Sequence, residues 1–389
     1  MKSDFPFFKK HPDLVYLDSA ATTQKPQVVL TALQNYYENQ NANPDRALYD
    51  LGYEATKLHT ECRQTVADFL NATPEQIIFT SGCTESLNLV ALSFSLKPND
   101  EILVSVFEHH SNFIPWQQLA KRAGAQFKVF TSPEDFKSKL SSRTKIVAIT
   151  AISNVTGVKL PVEQIVKRAH KVGAKVILDA AQAVAHFPLD VKRLDVDFLA
   201  FSGHKMYAPM GIGVLYVKNP AEFMPNFFGG GAISQVSEKQ TVLADDVSRF
   251  EPGTRNLAGE VGLKAAVEWL VDKRKPFEVV QGLVQLAYDK LSGLPFVELI
   301  SPRDAVGIVS FNLYRNHDRS PENLIHAHDV ATILNDYNVC IRAGNHCAEP
   351  LMRHLGLSGC CRASFGLYNS ASDVEKLVAA IQEAWEVLK

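Results

Sequence analysis

The chain has 389 residues, with 40 Lys and Arg against 42 Asp and Glu and a formal net charge of −2. That length exceeds one ordinary hydrophobic core and points to a large domain with a smaller companion, while the near balance of charge argues against nucleic acid or an anionic membrane as partner. No apolar run reaches transmembrane length, and the opening MKSDFPFFKKHPD puts charges where a signal peptide needs an apolar stretch, so a soluble cytoplasmic protein acting on a small molecule is expected.

In chain order, short apolar, β-branched runs recur: QIIFT (76–80), EILVSV (101–106), KIVAIT (145–150), KVILDA (175–180), DFLAFS (197–202) and GVLYV (213–217). Continuous runs of this kind suit strands buried on both faces. Helical patterns lie between several of them. The clearest is PVEQIVKRAHKVGAK, with Pro161 suited to a first helical position, Val162, Ile165, Val166 and Ala169 on one face, and Gly173 as the stop. The alternation predicts an α/β fold with a mostly parallel sheet covered by helices, and ligands at the carboxyl ends of its strands. Beyond about residue 255 the pattern changes to longer helices, LAGEVGLKAAVEWLVDK and SDVEKLVAAIQEAWEVL, with short strands such as GIVSFNL (307–313). A smaller α+β domain is expected there.

The polar clusters follow the strand runs. SGCTES comes after QIIFT, EHHSN after 101–106, SNVTG after KIVAIT, DAAQ closes KVILDA, and SGHK follows DFLAF. SGCTES, ahead of the helical ESLNLVALSF, offers backbone N–H groups and the Thr84 hydroxyl to a phosphate at a helix N-terminus, although so short a turn also begins many helices without a ligand. Asp179 ends a buried strand, where a carboxylate needs a cation or a hydrogen-bond donor. Lys205 stands between two runs built for burial, and an isolated buried ammonium is neutralised, paired or chemically committed; the plainer alternative is an amine that reaches solvent along its stem. A phosphate cradle, a buried carboxylate and a lysine at one sheet edge together suggest a phosphorylated, nitrogen-containing cofactor held by an imine. The six cysteines are sparse, lack any C-x-x-C pair, and read as free thiols.

These motifs carry a resemblance. YLDSAATTQKP, SGCTESLNLVA, EHHSNFIPW, ISNVTGV, DAAQAVAH, FSGHKMY, GIGVLYVK, FEPGTRN, RAGNHCAEPLM and RASFGLYN occur in that order over nearly the whole length, and the chain resembles the pyridoxal-phosphate enzymes of the class V aminotransferase family, within it the cysteine desulfurases of the SufS/CsdA type, also called selenocysteine lyases. The resemblance implies fold type I, with a large cofactor-binding domain over residues 15–255 and a small domain made of residues 1–14 and 256–389. It implies that Lys205 holds pyridoxal 5'-phosphate as an imine and that Asp179 pairs with the pyridine nitrogen. It further implies that His109 stacks on the ring, Gln182 donates to the phenolic oxygen, and Thr84, Ser202 and His204, with the backbone at Cys83, hold the phosphate. Thr254 resembles the residue that reaches the phosphate of a neighbouring subunit, hence a homodimer. Arg362, helped by Asn154 and Arg342, would take the substrate carboxylate.

Cys347, in a loop ahead of Pro350, resembles the cysteine that attacks the substrate sulfur, leaving alanine and a persulfide that passes to an acceptor of the SufE/SufU kind. A helix N-terminus and His346 are expected to supply positive potential favouring its thiolate. The chain also departs from its kin. Arg46 matches an expected arginine, but Asp45 and Tyr49 stand where histidines are expected, Asn345 replaces a histidine in GNHC, and YAPMGIG stands for YGPTGIG. Asp45 is therefore expected to place a free negative charge near the partner subunit's sulfur loop. Two other activities stay open at this point: selenocysteine or cysteine-sulfinate cleavage, which would not require Cys347, and a weakly active sulfur-transfer scaffold.

Overall fold

The computed structural model describes residues 1–45, 48–273, 276–316 and 319–389. Its larger sheet has seven strands, Ile77–Thr80 (β1), Glu101–Ser105 (β2), Gln126–Phe130 (β3), Thr144–Thr150 (β4), Lys175–Asp179 (β5), Phe198–Ser202 (β6) and Gly213–Val217 (β7), in the order β1-β7-β6-β5-β4-β2-β3. Only β7 runs against the rest, antiparallel to both β1 and β6. The apolar runs read as strands in the sequence are these strands, to within a residue or so at their ends. The exception is β3, QFKVF, which lies at the sheet edge half-exposed and so carries no continuous apolar signal.

Alternation across the pleat sends neighbouring residues to opposite cores. Ile102 and Val104 face the helices Cys83–Ser93 and Ile114–Ala123, packing with Leu87, Val90, Trp116 and Leu119. Leu103 faces the other way, toward Ile165, Val166 and Ala169 of the helix Val162–Lys171. Trp116 is fully buried between these layers, and its replacement by Ala would cost about 3–5 kcal/mol.

A second sheet is antiparallel, with Val297–Leu299 (β8), Ile308–Leu313 (β9), Arg342–Gly344 (β10) and Cys360–Ser364 (β11) in the order β8-β9-β11-β10. Helices Pro276–Ser292, Ala327–Asp336 and Ala371–Leu388 pack around it. Two connections cross between the sheets. Val15–Tyr16 pairs in parallel with Val339–Cys340, and the chain then passes Ser364 at Asp18 before turning into the space between the two sheets. Helix Leu257–Asp272 packs on helices Gln27–Asn35 and Asp50–Leu70.

Candidate active site

The carboxyl ends of the large sheet and the edge of the small one face each other across a cleft of about 310 Å³. Its lining includes Cys83, Thr84, His109, Asn154, Asp179, Gln182, Ser202, His204, Lys205, Arg342, Cys347 and Arg362. Every candidate residue from the sequence is thus brought to one cleft except Thr254.

The cradle forms where β1 and β7 meet the helix that starts at Cys83. Gly82 caps that helix in an extended conformation, and the Cys83 amide donates to Ser202 Oγ at 2.8 Å. The fit is tight enough to require glycine on the neighbouring strand: a Cβ on Gly213 would lie 2.4 Å from Gly82 Cα and 2.8 Å from the Phe201 carbonyl oxygen. The Thr84 and Ser111 hydroxyls are 2.8 Å apart. His204 lines the same cleft, its buried Nδ1 has no partner among the described residues, and burial, with Lys205 and Lys25 nearby, pushes its imidazole down to about 4.

Lys205 sits in the short turn after β6. Among the described residues its Nζ has neither a hydrogen-bond nor an ion-pair partner, and burial lowers its pKa from the usual amine value despite the opposing pull of Asp179. Asp179, the last residue of β5, accepts from the Ala181 amide at 2.9 Å and from Cys83 Sγ at 3.4 Å, and burial raises its pKa. Gln182 donates from Nε2 to the Ala20 carbonyl at 2.9 Å, which leaves one amide hydrogen for another acceptor. His109 accepts from the Ser111 amide at Nδ1, 3.1 Å, so its neutral ring carries its proton on Nε2; burial first, then neighbouring cations, pushes it down to about 3.

Next to His109 in the chain lies a residue with no role in the sequence reading. Glu108 is fully buried and accepts from Ser105 Oγ (2.6 Å), the Thr150 amide (2.7 Å) and Asn112 Nδ2 (2.6 Å), tying β2, β4 and the turn bearing His109 into one unit. Burial raises it to about 8.

On the opposite wall the two arginines share one carboxylate. Asp18 accepts from Arg342 at 3.1–3.2 Å and from Arg362 Nη2 at 3.3 Å. Arg362, only 3% exposed, also donates to the Asn154 carbonyl at 2.8 Å, yet among the described residues its Nε and the Asn154 Oδ1 are buried without partners. Two guanidiniums against one carboxylate leave one positive charge over, which suits an incoming anionic group. Asp18 was missed because it is far from both arginines in the chain, although it lies within YLDSAATTQKP.

Cys347 is exposed on the rim. Both it and His346 adopt left-handed backbone angles, φ +55° and +54°. The expectation that His346 supplies positive charge is not met: the ring is buried, donates from Nε2 to the Cys360 carbonyl at 3.0 Å, and is pushed by burial down to about 3, hence neutral. The helix that follows, Glu349–His354, has six residues, with Pro350 in its first turn as expected. Asn345 accepts from the Cys347 amide at 3.1 Å, a bond that an amide side chain supplies in place of the expected histidine.

Thr254 is exposed and lines a different hollow, with Asp45, Asp245 and Asp246. Asp45 does not offer the free charge expected of it, because its carboxylate is paired with Arg255. Arg255 in turn lies beside Glu251, which binds Arg63 through both oxygens at 2.6 and 2.9 Å. Arg46 lies outside the described residues, and Tyr49 precedes helix Asp50–Leu70 as an exposed side chain.

A phosphate-ready helix start, an unpaired buried lysine, a buried aspartate and surplus arginine charge in one interdomain cleft define a fold type I enzyme of the pyridoxal-phosphate kind. Residues 15–377 match the aminotransferase class-V family model, and the chain belongs to this family. It is 42% identical to a probable cysteine desulfurase of Vibrio cholerae serotype O1, over 96% of this chain and 94% of that protein, and 39% identical to a cysteine desulfurase of Enterobacter sp. strain 638, over 100% and 98%. Among solved structures it is similar to the cysteine desulfurase CsdA (S-sulfonic acid) from Escherichia coli, with TM-score 0.91, 36% identity and coverage of 100% and 98%. An apo cysteine desulfurase from Thermococcus onnurineus NA1 gives TM-score 0.93 at the same 36% identity, covering 100% of this chain and 98% of that one. No helix among the described residues is long and apolar enough to cross a membrane.

Proposed function

We propose that this chain is a pyridoxal-phosphate-dependent cysteine desulfurase that converts L-cysteine to L-alanine and keeps the sulfur as a persulfide on Cys347. The observation that carries the reading is the placement of an exposed thiol on the rim of the cleft that buries an unpartnered lysine.

The residues fit the cofactor. Thr84, Ser202 and the orphaned Nδ1 of His204, at the start of a helix, suit its phosphate. Asp179 suits a protonated ring nitrogen, His109 offers a neutral ring at the same cleft, Gln182 has an amide hydrogen for the phenolic oxygen, and Lys205 offers an amine with a lowered pKa to the aldehyde. When bound, the cofactor supplies an electron sink for the substrate's Cα. Lys205 Nζ then moves the Cα proton, a task for which a desolvated amine is suited. Arg362, helped by Asn154 and Arg342, holds the substrate carboxylate.

Cys347 Sγ attacks the substrate Sγ. A sulfur–sulfur bond forms and the carbon–sulfur bond breaks, its electron pair staying with carbon, which takes a proton to give alanine. The outer sulfur of the persulfide is then the atom an acceptor thiol removes.

The chain acts in the cytoplasm as a homodimer in which Thr254 completes the partner's phosphate site, and it hands sulfur to an acceptor protein of the SufE/SufU kind for iron–sulfur or related biosynthesis. Its cofactor-binding unit spans 15–255, and the unit carrying Cys347 comprises 1–14 and 256–389. Alanine and sulfide formed from L-cysteine, with and without reductant, test the activity; no alanine would sink it. Cys347→Ser is expected to keep the bound cofactor and its visible absorption while persulfide formation falls below detection, since a hydroxyl cannot accept sulfur. Mass spectrometry finding the added sulfur on Cys360 or Cys361 would overturn the choice of nucleophile.

A further inference from the structure

Hydrogen bonds from both walls of the cleft converge on the loop that carries Cys347. Within the loop, the Cys347 amide donates to Asn345 Oδ1 at 3.1 Å. Three others cross the cleft. Asn154 Nδ2 donates to the His346 carbonyl at 2.8 Å. The His110 amide donates to the Cys347 carbonyl at 2.7 Å, and the same residue's ring nitrogen Nε2 accepts from the Glu349 amide at 3.1 Å. His110 therefore grips the loop on both sides of Ala348, once with its backbone and once with its ring.

The loop needs such a grip. Left-handed angles at two consecutive non-glycine residues are unfavourable and persist only where the surroundings impose them. Ala348, Leu351 and Met352 are buried against Val106 and Val155, which fixes the depth of the segment. Contacts of that kind are non-directional and do not set the backbone angles at Cys347. The Ala348 amide donates to the Asn345 carbonyl at 3.0 Å, closing a turn over His346 and Cys347, and the hydrogen bonds from the large sheet's side hold that turn against the opposite wall.

We propose that His110 is a positioning residue: resting on the reading of Cys347 as the sulfur acceptor, it holds that thiol over the cleft by clasping the loop from the opposite wall. The ring bond requires Nε2 to be the unprotonated nitrogen, so His110 serves as an acceptor toward the loop. Its neighbour His109 faces the cleft, and His110 faces the loop, so the two histidines of EHHSN divide cofactor contact and loop placement between them.

The test uses the holoenzyme and two substitutions. His110→Phe keeps a ring and deletes the acceptor; His110→Gln offers an amide oxygen in its place. Single-turnover persulfide formation on Cys347 is expected to fall about tenfold in His110→Phe, the scale of one lost hydrogen bond, with KM and the spectral response to cysteine unchanged, and to recover to within about threefold in His110→Gln. Deuterium uptake by the amides of 344–352 should rise about fivefold or more in His110→Phe and not in His110→Gln. Equal persulfide rates in wild type and His110→Phe, or failure of glutamine to restore either readout in a variant with a normal cofactor spectrum, would overturn the clasp. A wild-type protein that forms no persulfide would refute the activity itself, and deuterium uptake would still report on the clasp.

Discussion

The two walls of the cleft are built on opposite principles. On the large-sheet side, Asp179, Lys205, Glu108 and Ser202 stand at or just past strand ends inside a double-sided core, and burial is the first cause of the pKa shifts of Asp179, Lys205 and Glu108. On the small-sheet side, Cys347 is exposed, and its loop is held by a few hydrogen bonds in an unfavourable backbone conformation. The contrast follows from what each wall must do. Under the proposed function, proton transfer at carbon by an unprotonated amine calls for a dry, rigid setting, whereas a thiol that meets both a bound substrate and an outside acceptor must reach solvent.

The largest break in the contrast should come from the dry wall. Lys205→Ala is expected to abolish turnover and the visible absorption of the lysine-bound cofactor without lowering the thermal midpoint, because it removes a buried amine that has no partner. An unchanged absorption spectrum would refute the assignment. Gly213→Ala comes next. Its methyl group would collide with the Gly82 backbone, so the phosphate cradle must open. A stability loss of about 1–3 kcal/mol is expected, together with cofactor affinity weakened at least tenfold by equilibrium dialysis, while residual bound cofactor absorbs normally.

Acid should sharpen the comparison in the apo protein. His109, His186 and His346 are held neutral by burial, pushed down to about 3, 4 and 3. Their folded pKa values lie below the unfolded imidazole value, so the unfolded chain binds more protons between them and stability falls as pH drops from about 6.5 toward 4. Each contributes a slope of at most about 1.4 kcal/mol per pH unit there. Glu108 has the opposite sign. Raised to about 8, it adds stability that is complete below its unfolded value and is lost progressively as pH rises from there to 8. Between pH 7.5 and 6 the gain at Glu108 offsets much of the histidine loss, so the wild-type urea midpoint should change little there and decline from pH 6 to 5, and Glu108→Gln, which removes the opposing contribution, should steepen the decline over the whole range. A midpoint that rises toward pH 5 would contradict the assignment of neutral buried histidines.

The smallest effect is expected at Asp45. The sequence suggests that Asp45→His would speed sulfur release by removing a free charge, but Arg255 already compensates that charge. Cofactor binding should be unchanged, and persulfide formation and discharge to a small thiol should each shift less than threefold, with stability lowered by about 0–1 kcal/mol as for other partly exposed pairs. A larger acceleration of discharge alone would restore the electrostatic role read from the sequence.

Much of the dry wall was legible because burial leaves a sequence signal. Continuous apolar runs locate the strands, and the polar residues closing them fall at one edge by topology alone. The reversal of β7 left no such signal, since a strand buried on both faces reads alike in either direction. Asp18 and Glu108 were missed for a different reason. Their roles lie in pairings with residues of other segments, Arg342 and Arg362 in one case, Thr150 and Asn112 in the other. The resemblance located Cys347, but the state of His346 depended on burial and on the Cys360 carbonyl, neither visible in GNHC.

The reversed strand also governs when the site can exist. β1 enters the sheet only through β7, where Thr80 pairs with Gly213, so the turn at Gly82 has no strand to rest against until the chain through Val217 has been made and docked. Closing so long a loop is entropically slow and follows the local helix-and-strand units in time. The phosphate cradle is accordingly expected to assemble after the adjacent pair β5–β6 that carries Asp179 and Lys205 at its ends, and tight cofactor loading with it.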